Sequence, residues 1–336
     1  MDGLEGKVAI IGGSGIKDSP MFEGLPWKRF DTFYGKERGN ETADEIARIE
    51  MVNTLYQDDE MGLLILTGFQ EEFGDLLDPA KPGVVEYQEK DDVIFIPRHG
   101  HTERYGPYTS QYAANLIAAK MLGANIVVGT SAVGSYKSEI YKLEDLVVPH
   151  DFDDQSGKDD NIWGHGLVVH PNPRPAFSEN LRKILVEAAK EGDYFNAIHD
   201  KGVYVIIPGD RFGTDAEGAR RALTADIVGM TLCPETSIAL QLNMEYAVAA
   251  FPVDYDRDAS HEHGTLEVMG RLSEQDRVPA FMEKVVKMAK SYAQQQEGTQ
   301  MLPQIKGNVI PGDFSNRINN PYLKLVAQEL VETYCK

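Results

Sequence analysis

The sequence predicts an α/β layer fold with a largely buried sheet, and three observations lead there. Short β-branched runs alternate with helical patterns along most of the chain. Glycine and proline punctuate those helical patterns at their ends. The length of 336 residues, with 42 % hydrophobic and 26 % charged side chains, is enough for a sizeable core and is ordinary for a globular protein.

Taken in order, KVAII (7–11), VIFI (93–96), NIVVGT (125–130), LVVP (146–149), VYVII (203–207), DIVGMT (226–231) and YAVAAF (246–251) read as strands. Helical spacing falls between them at 109–123, 178–192, 215–223 and 234–243, and again at 278–296 and 321–335. Gly123 and Gly192 are stop signals for the first two helices, and Pro234 suits a first helical turn. Residues 37–92 fit less well. A charged amphipathic helix is expected within NETADEIARIEMVNTLYQDDE, and the acidic character of the whole stretch suggests an insertion within one chain-long domain, 1–336.

Composition narrows the function classes. A formal charge of −20 disfavours phosphate-backbone binding, so nucleic acid is not an expected partner. No run approaches the roughly 18 apolar residues of a membrane span, and the acidic start MDGLEGKVAII does not read as a signal peptide. Two cysteines give neither a disulfide framework nor a zinc pattern, which suggests a reducing, cytoplasmic setting. The eight histidines have no metal spacing, and HEH at 261–263 is not a zinc helix; no metal is expected.

Three strand ends can hold a small anionic ligand, and a fourth constellation adds side chains for a planar ring. In IIGGSGI (10–16), glycines let backbone N–H groups approach an anion and Ser14 adds a hydroxyl; a tight turn would need the same glycines, and GxGxxG is not matched. Arg98 and His99 follow a strand in IPRHGH, where a guanidinium fork matches phosphate and the imidazole can donate from a ring nitrogen. VGTSAVGS (128–135) offers Thr130, Ser131 and Ser135 at another strand end. PGDRFGTDAE (208–217) and VGMTLCPE (228–235) add Phe212, which can stack on a planar ring, together with Met230 and Thr231. Taken singly, hydroxyl clusters are usually turn chemistry, and Phe or Met are usually core.

The apolar run Ala247 to Val253 ends in Asp254 and Asp256, which share a face if the chain is extended. Two carboxylates held close resist double ionisation, so one keeps a proton. A protonated and an ionised aspartate together complement an adenine edge, with its N7 acceptor and N6 amino donor. A 6-oxopurine presents two acceptors there instead. An arbitrary DxD merely opens a polar turn, so the pair needs its context.

That context is a family resemblance. GGSG (12–15), RHG (98–100), TSAVGS (130–135), the RF…ADIVGMT…PE block (211–235) and DYD (254–256) stand in the order of the trimeric purine nucleoside phosphorylases. Over residues 8–36 and 93–270 the sequence most resembles the 5′-methylthioadenosine phosphorylase branch. The resemblance implies a mixed, distorted central sheet surrounded by helices, a homotrimer, and phosphorolysis of a purine nucleoside with inorganic phosphate as co-substrate and no cofactor. It implies a phosphate site of Ser14, Arg98, His99, Ser131 and Thr231. Met230 matches a ribose contact, and Phe212 with Ala132, Val133 and Gly134 matches the base pocket. His170 matches a histidine of the 5′-substituent pocket, and Asp254 and Asp256 match the purine-edge pair, with Asp254 as the acid at N7.

Several positions depart from the family. Gly209-Asp210-Arg211-Phe212 stands for Gly-Pro-Arg-Phe, Gly213 for a polar residue, Gly229 for Asn and Val253 for Thr, while 37–92 is longer than its equivalent. These changes keep open a 6-oxopurine substrate (inosine, guanosine or methylthioinosine) and a non-catalytic nucleoside-binding relative. A dinucleotide-binding oxidoreductase rests on GGSG alone.

Overall fold

The structure, a computed structural model, describes residues 6–13, 20–35, 43–57, 81–256, 265–274, 276–296 and 301–335. The strands are β1 (Lys7–Gly12), β2 (Lys28–Asp31), β3 (Val84–Lys90), β4 (Val93–Pro97), β5 (Ala124–Ser135), β6 (Leu146–Val147), β7 (Asp151–Asp154), β8 (Leu167–Val169), β9 (Ile198–His199), β10 (Val203–Ile206), β11 (Ile227–Gly229), β12 (Glu245–Tyr255) and β13 (Val309–Pro311). The helices are α1 (Ala43–Gln57), α2 (Tyr112–Met121), α3 (Glu179–Lys190), α4 (Asp215–Arg221), α5 (Leu232–Gln241), α6 (Thr265–Glu274), α7 (Arg277–Gln294), α8 (Phe314–Arg317) and α9 (Pro321–Tyr334).

Among the described residues eleven strands form one mixed sheet, and β8 with β13 makes a separate antiparallel pair. Its centre is a parallel block in which β4, β1, β5 and β12 lie side by side. Antiparallel β3 and β2 extend it on one flank. On the other, the far end of β5 stays paired with β12 but runs beyond β1 and pairs antiparallel with β11, which continues in parallel to β10 and β7. The distortion is therefore located in β5, whose twelve residues serve both halves of the sheet.

Alternation along the central strands divides the core between the two faces. Ala9, Ile11, Ile94, Ile96 and Val127 face α2, α5 and α9, packing on Leu116, Ile238 and Leu330. Val8, Ile10, Phe95, Ile126 and Val128 face α3 and α7, packing on Leu185, Phe281 and Val285. The helix ends follow local chemistry. Ser178 caps α3 by accepting from the Leu181 N–H, Thr214 and Glu217 form a capping box on α4, and Asn320 caps α9 ahead of Pro321.

The expected strands and helices are present, with β5 and β12 longer than their apolar runs and β6 shorter. Two described pieces of the acidic 37–92 stretch are built into the fold. In α1, Ile49 and Val52 are buried, and Asn53 bonds the Asp31 backbone and the Tyr322 hydroxyl. β3 pairs on both edges, and its buried polar residues are satisfied: Glu86 by Arg104, Gln88 by the Phe22 and Leu25 carbonyls.

Candidate active site

The parallel strands β1, β4, β5 and β12 end together, the usual place for a ligand where an open sheet changes direction. A cavity of about 490 Å³ opens there. Arg98, His99, Ser131, Ala132, Val133, Gly134, Phe212, Met230, Thr231, Asp254 and Asp256 all line it. Ser14 lies outside the described residues, although its neighbour Gly13 is in the lining. His170 does not line the cavity within the chain; it is exposed just past β8, its N–H donating to the Asn308 carbonyl.

Arg98 is 2 % exposed and almost fully engaged. Its Nε and Nη2 donate to the two oxygens of Glu235 at 2.8 and 2.9 Å, Nη2 also to the Ile11 carbonyl, and Nη1 to the Thr130 carbonyl. A guanidinium has five N–H bonds, so one, on Nη1, has no partner among the described residues. Glu235 is fully buried and also accepts from the Tyr246 hydroxyl at 2.7 Å. Tyr246 reaches it past Gly129, where any Cβ would stand 2.1 Å from the phenol oxygen. Arg98 is thus a fixed, charge-compensated donor.

His99 Nδ1 lies 2.9 Å from the Tyr105 carbonyl, which places the proton on Nδ1, while Ser110 Oγ donates to the Gly106 carbonyl. Burial, reinforced by the Arg98 charge, holds its pKa below the ordinary histidine value. The neutral ring therefore offers Nε2 as an acceptor, not the donor expected from sequence. The hydroxyls of Ser131 and Thr231 are 3.3 Å apart. Thr231 sits at the N-cap of α5 without capping it, and its hydroxyl belongs to the cavity.

Asp254 and Asp256 enter the same cavity from the end of β12, after a register shift between Pro252 and Asp254. Ala250 lies opposite Ser131 and Asp254 opposite Gly134. Three residues of strand separate the two positions on β5, or about 10 Å. Phe212 stands at the rim, 65 % exposed. Asp210 beside it has φ +65°, a backbone that a proline ring fixed near −65° forbids and aspartate tolerates.

Residues 63–293 match the phosphorylase superfamily. The chain belongs to the phosphorylase superfamily. Relatives within it include the S-methyl-5′-thioadenosine phosphorylase of Pyrobaculum aerophilum, 31 % identical over 275 residues that cover 79 % of this chain and 80 % of the relative. The enzyme of the same name from Hyperthermus butylicus is 40 % identical over 167 residues, 49 % of this chain and 60 % of its own length. Among solved structures, a methylthioadenosine phosphorylase from an antarctic soil metagenomic library shares the fold with TM-score 0.68 at 24 % identity, covering 92 % of this chain and 93 % of the other. A double mutant of the adenosine/methylthioadenosine phosphorylase of Schistosoma mansoni, in complex with adenine, superposes with TM-score 0.64 at 25 % identity, over 85 % and 92 % of the two chains.

Around this cavity, sequence reasoning missed the residues that hold the lining in place. Glu235 was legible as a lone acid on an apolar helix, which needs a buried cation. Lys158 gave no such signal. It follows β7, and its ammonium donates to the carbonyls of Pro107 and Met230 and to the Tyr112 hydroxyl, joining two parts of the cavity wall. Burial lowers its pKa to about 8. Among the described residues no group of His, Cys, Asp and Glu could hold a metal ion, and no helix is long and apolar enough to cross a membrane.

Proposed function

We propose that the chain catalyses the phosphorolysis of 5′-methylthioadenosine, giving adenine and 5-methylthioribose 1-phosphate. One observation supports it most: an arginine–histidine–hydroxyl group suited to phosphate and an aspartate pair suited to a purine edge line one cavity, about 10 Å apart along β5. In this reading, phosphate lies against the free Arg98 N–H, the Ser131 and Thr231 hydroxyls and, through its own O–H, His99 Nε2. One phosphate oxygen forms a bond to the anomeric carbon as the bond to N9 breaks and its electron pair passes to the purine. Asp254 gives a proton to N7, so the base leaves neutral. The anion beside the anomeric carbon stabilises the cationic character that develops there. Met230 packs against ribose, Phe212 against the base, and Asp256 accepts from the exocyclic amine. The reaction balances with phosphate alone, so the reading calls for no cofactor.

The relatives named as methylthioadenosine phosphorylases support the substrate. A 6-oxopurine substrate, which the sequence keeps open through Gly229 in place of the branch's usual Asn, is the second reading to be tested. The same proposal includes a cytoplasmic homotrimer, in which His170 of a neighbouring copy would complete the 5′ pocket. The test is an assay of methylthioadenosine, adenosine, inosine and methylthioinosine with and without phosphate. Phosphate-dependent release of adenine from methylthioadenosine is expected. Base release from the 6-oxo substrates alone would establish the second reading, and nucleoside binding without any base release would refute both.

A further inference from the structure

Tyr204, in β10, is fully buried and does not line the cavity. Among the described residues its hydroxyl pairs most closely with Ser131 Oγ, at 2.8 Å, and has the Thr231 hydroxyl as a second partner. The space it occupies is the space a side chain at position 229 would fill: a Cβ on Gly229 would stand 1.9 Å from the Tyr204 oxygen and 2.6 Å from Cζ. Gly229 is therefore fixed by Tyr204, independently of which purine is bound.

We infer that Tyr204 is a positioning residue that hands the Ser131 proton to phosphate. The reasoning is a proton count and rests on the phosphate-site reading above. Ser131 has one hydroxyl proton and three neighbours in reach: the Ala132 carbonyl at 3.4 Å, Thr231 Oγ1 at 3.3 Å and Tyr204. An anionic phosphate needs that proton, since its oxygens are acceptors. Ser131 can give it only if that proton is not already donated to the protein, so that towards Tyr204 its oxygen accepts. Tyr204 meets this condition by donating to Ser131, and it remains a donor across the neutral range because burial pushes its pKa up to about 12. The phenol thus turns the serine hydroxyl outwards without touching the ligand.

Tyr204→Phe removes the donor and keeps the ring. The KM for phosphate should rise about five- to tenfold, the scale of one lost hydrogen bond to a polar partner, with the KM for nucleoside within about twofold of wild type. Ser131→Ala should raise the phosphate KM as well, and adding Tyr204→Phe to it should change nothing further. Gly229→Ala, which forces a Cβ into the phenol, should move the phosphate KM in the same direction. Phosphate-induced gain in melting temperature, measured on the folded variants, should shrink in parallel with each KM. The inference fails if Ser131→Ala raises the phosphate KM while Tyr204→Phe leaves it at wild type, or if Tyr204→Phe acts equally in the Ser131→Ala background. If Ser131→Ala itself leaves phosphate use unchanged, the phosphate site is wrongly placed and the inference falls with it.

Discussion

Replacing Glu235 with glutamine tests how Arg98, the proposed phosphate ligand, is held. The carboxylate accepts from Arg98 through both oxygens and from Tyr246 through one, inside a core where Arg98 is 2 % and Glu235 0 % exposed. Glutamine keeps one acceptor, puts an N–H₂ against a guanidinium N–H, and leaves the arginine charge uncompensated. Breaking a buried pair by removing one partner costs about 3–5 kcal/mol. The retained acceptor puts Glu235→Gln near the lower end, about 3 kcal/mol. At about 2 °C per kcal/mol for a chain of this size, the melting temperature should fall by about 6 °C. Phosphate would then become the counter-ion that Glu235 was. Scanning calorimetry at fixed protein concentration, with and without phosphate, should show a larger phosphate-induced gain in the variant than in the wild type. A melting temperature within 1 °C of wild type, or equal gains in both proteins, would refute the view of Arg98 as a donor whose charge Glu235 cancels.

Three further outcomes follow from the site. Arg98→Ala should impair phosphate use far more than nucleoside binding, by at least tenfold in phosphate KM; an unchanged phosphate dependence would remove Arg98 from that role. Asp254→Asn should lower kcat on 6-aminopurine nucleosides by about 10²-fold or more, with a smaller loss on 6-oxopurines, and equal losses on both would contradict the purine-edge assignment. Lys158 gives a pH signature with opposite signs. Its folded pKa of about 8 lies below the ordinary 10.5, so between those values the unfolded chain binds the extra proton and stability rises with pH. Activity should fall over the same window, because the neutral amine no longer donates to all three of its partners. A pH profile of kcat/KM without an alkaline limb near 8, or one that persists in Lys158→Met, would show that Lys158 does not fix the cavity wall.

Local pattern made much of this fold legible. Apolar runs ending in Gly13, Arg98, Thr130 and Asp254 named four strand ends, and parallel pairing then brings those ends together. Strand β3 was hidden because Glu86 and Gln88 read as solvent-facing side chains, and their partners Arg104, Phe22 and Leu25 lie elsewhere in the chain. The same limit applies to the site. Residues that line the cavity stand in short motifs at strand ends, whereas Glu235, Tyr204 and Lys158 act on positions 137, 73 and 72 residues away, as in the bonds to Arg98, Ser131 and the Met230 carbonyl. Gly229 shows the cost of reading a departure locally. In sequence it pointed to a different purine, and in the fold a phenol from β10 accounts for it.

Phosphorus NMR of the protein with methylthioadenosine and inorganic phosphate follows the proposed reaction at the atom that attacks. The phosphate signal should be replaced by that of a sugar 1-phosphate, in step with the appearance of free adenine and at equal stoichiometry. Adenine released at the same rate without phosphate, or with no phosphate ester formed, would contradict it.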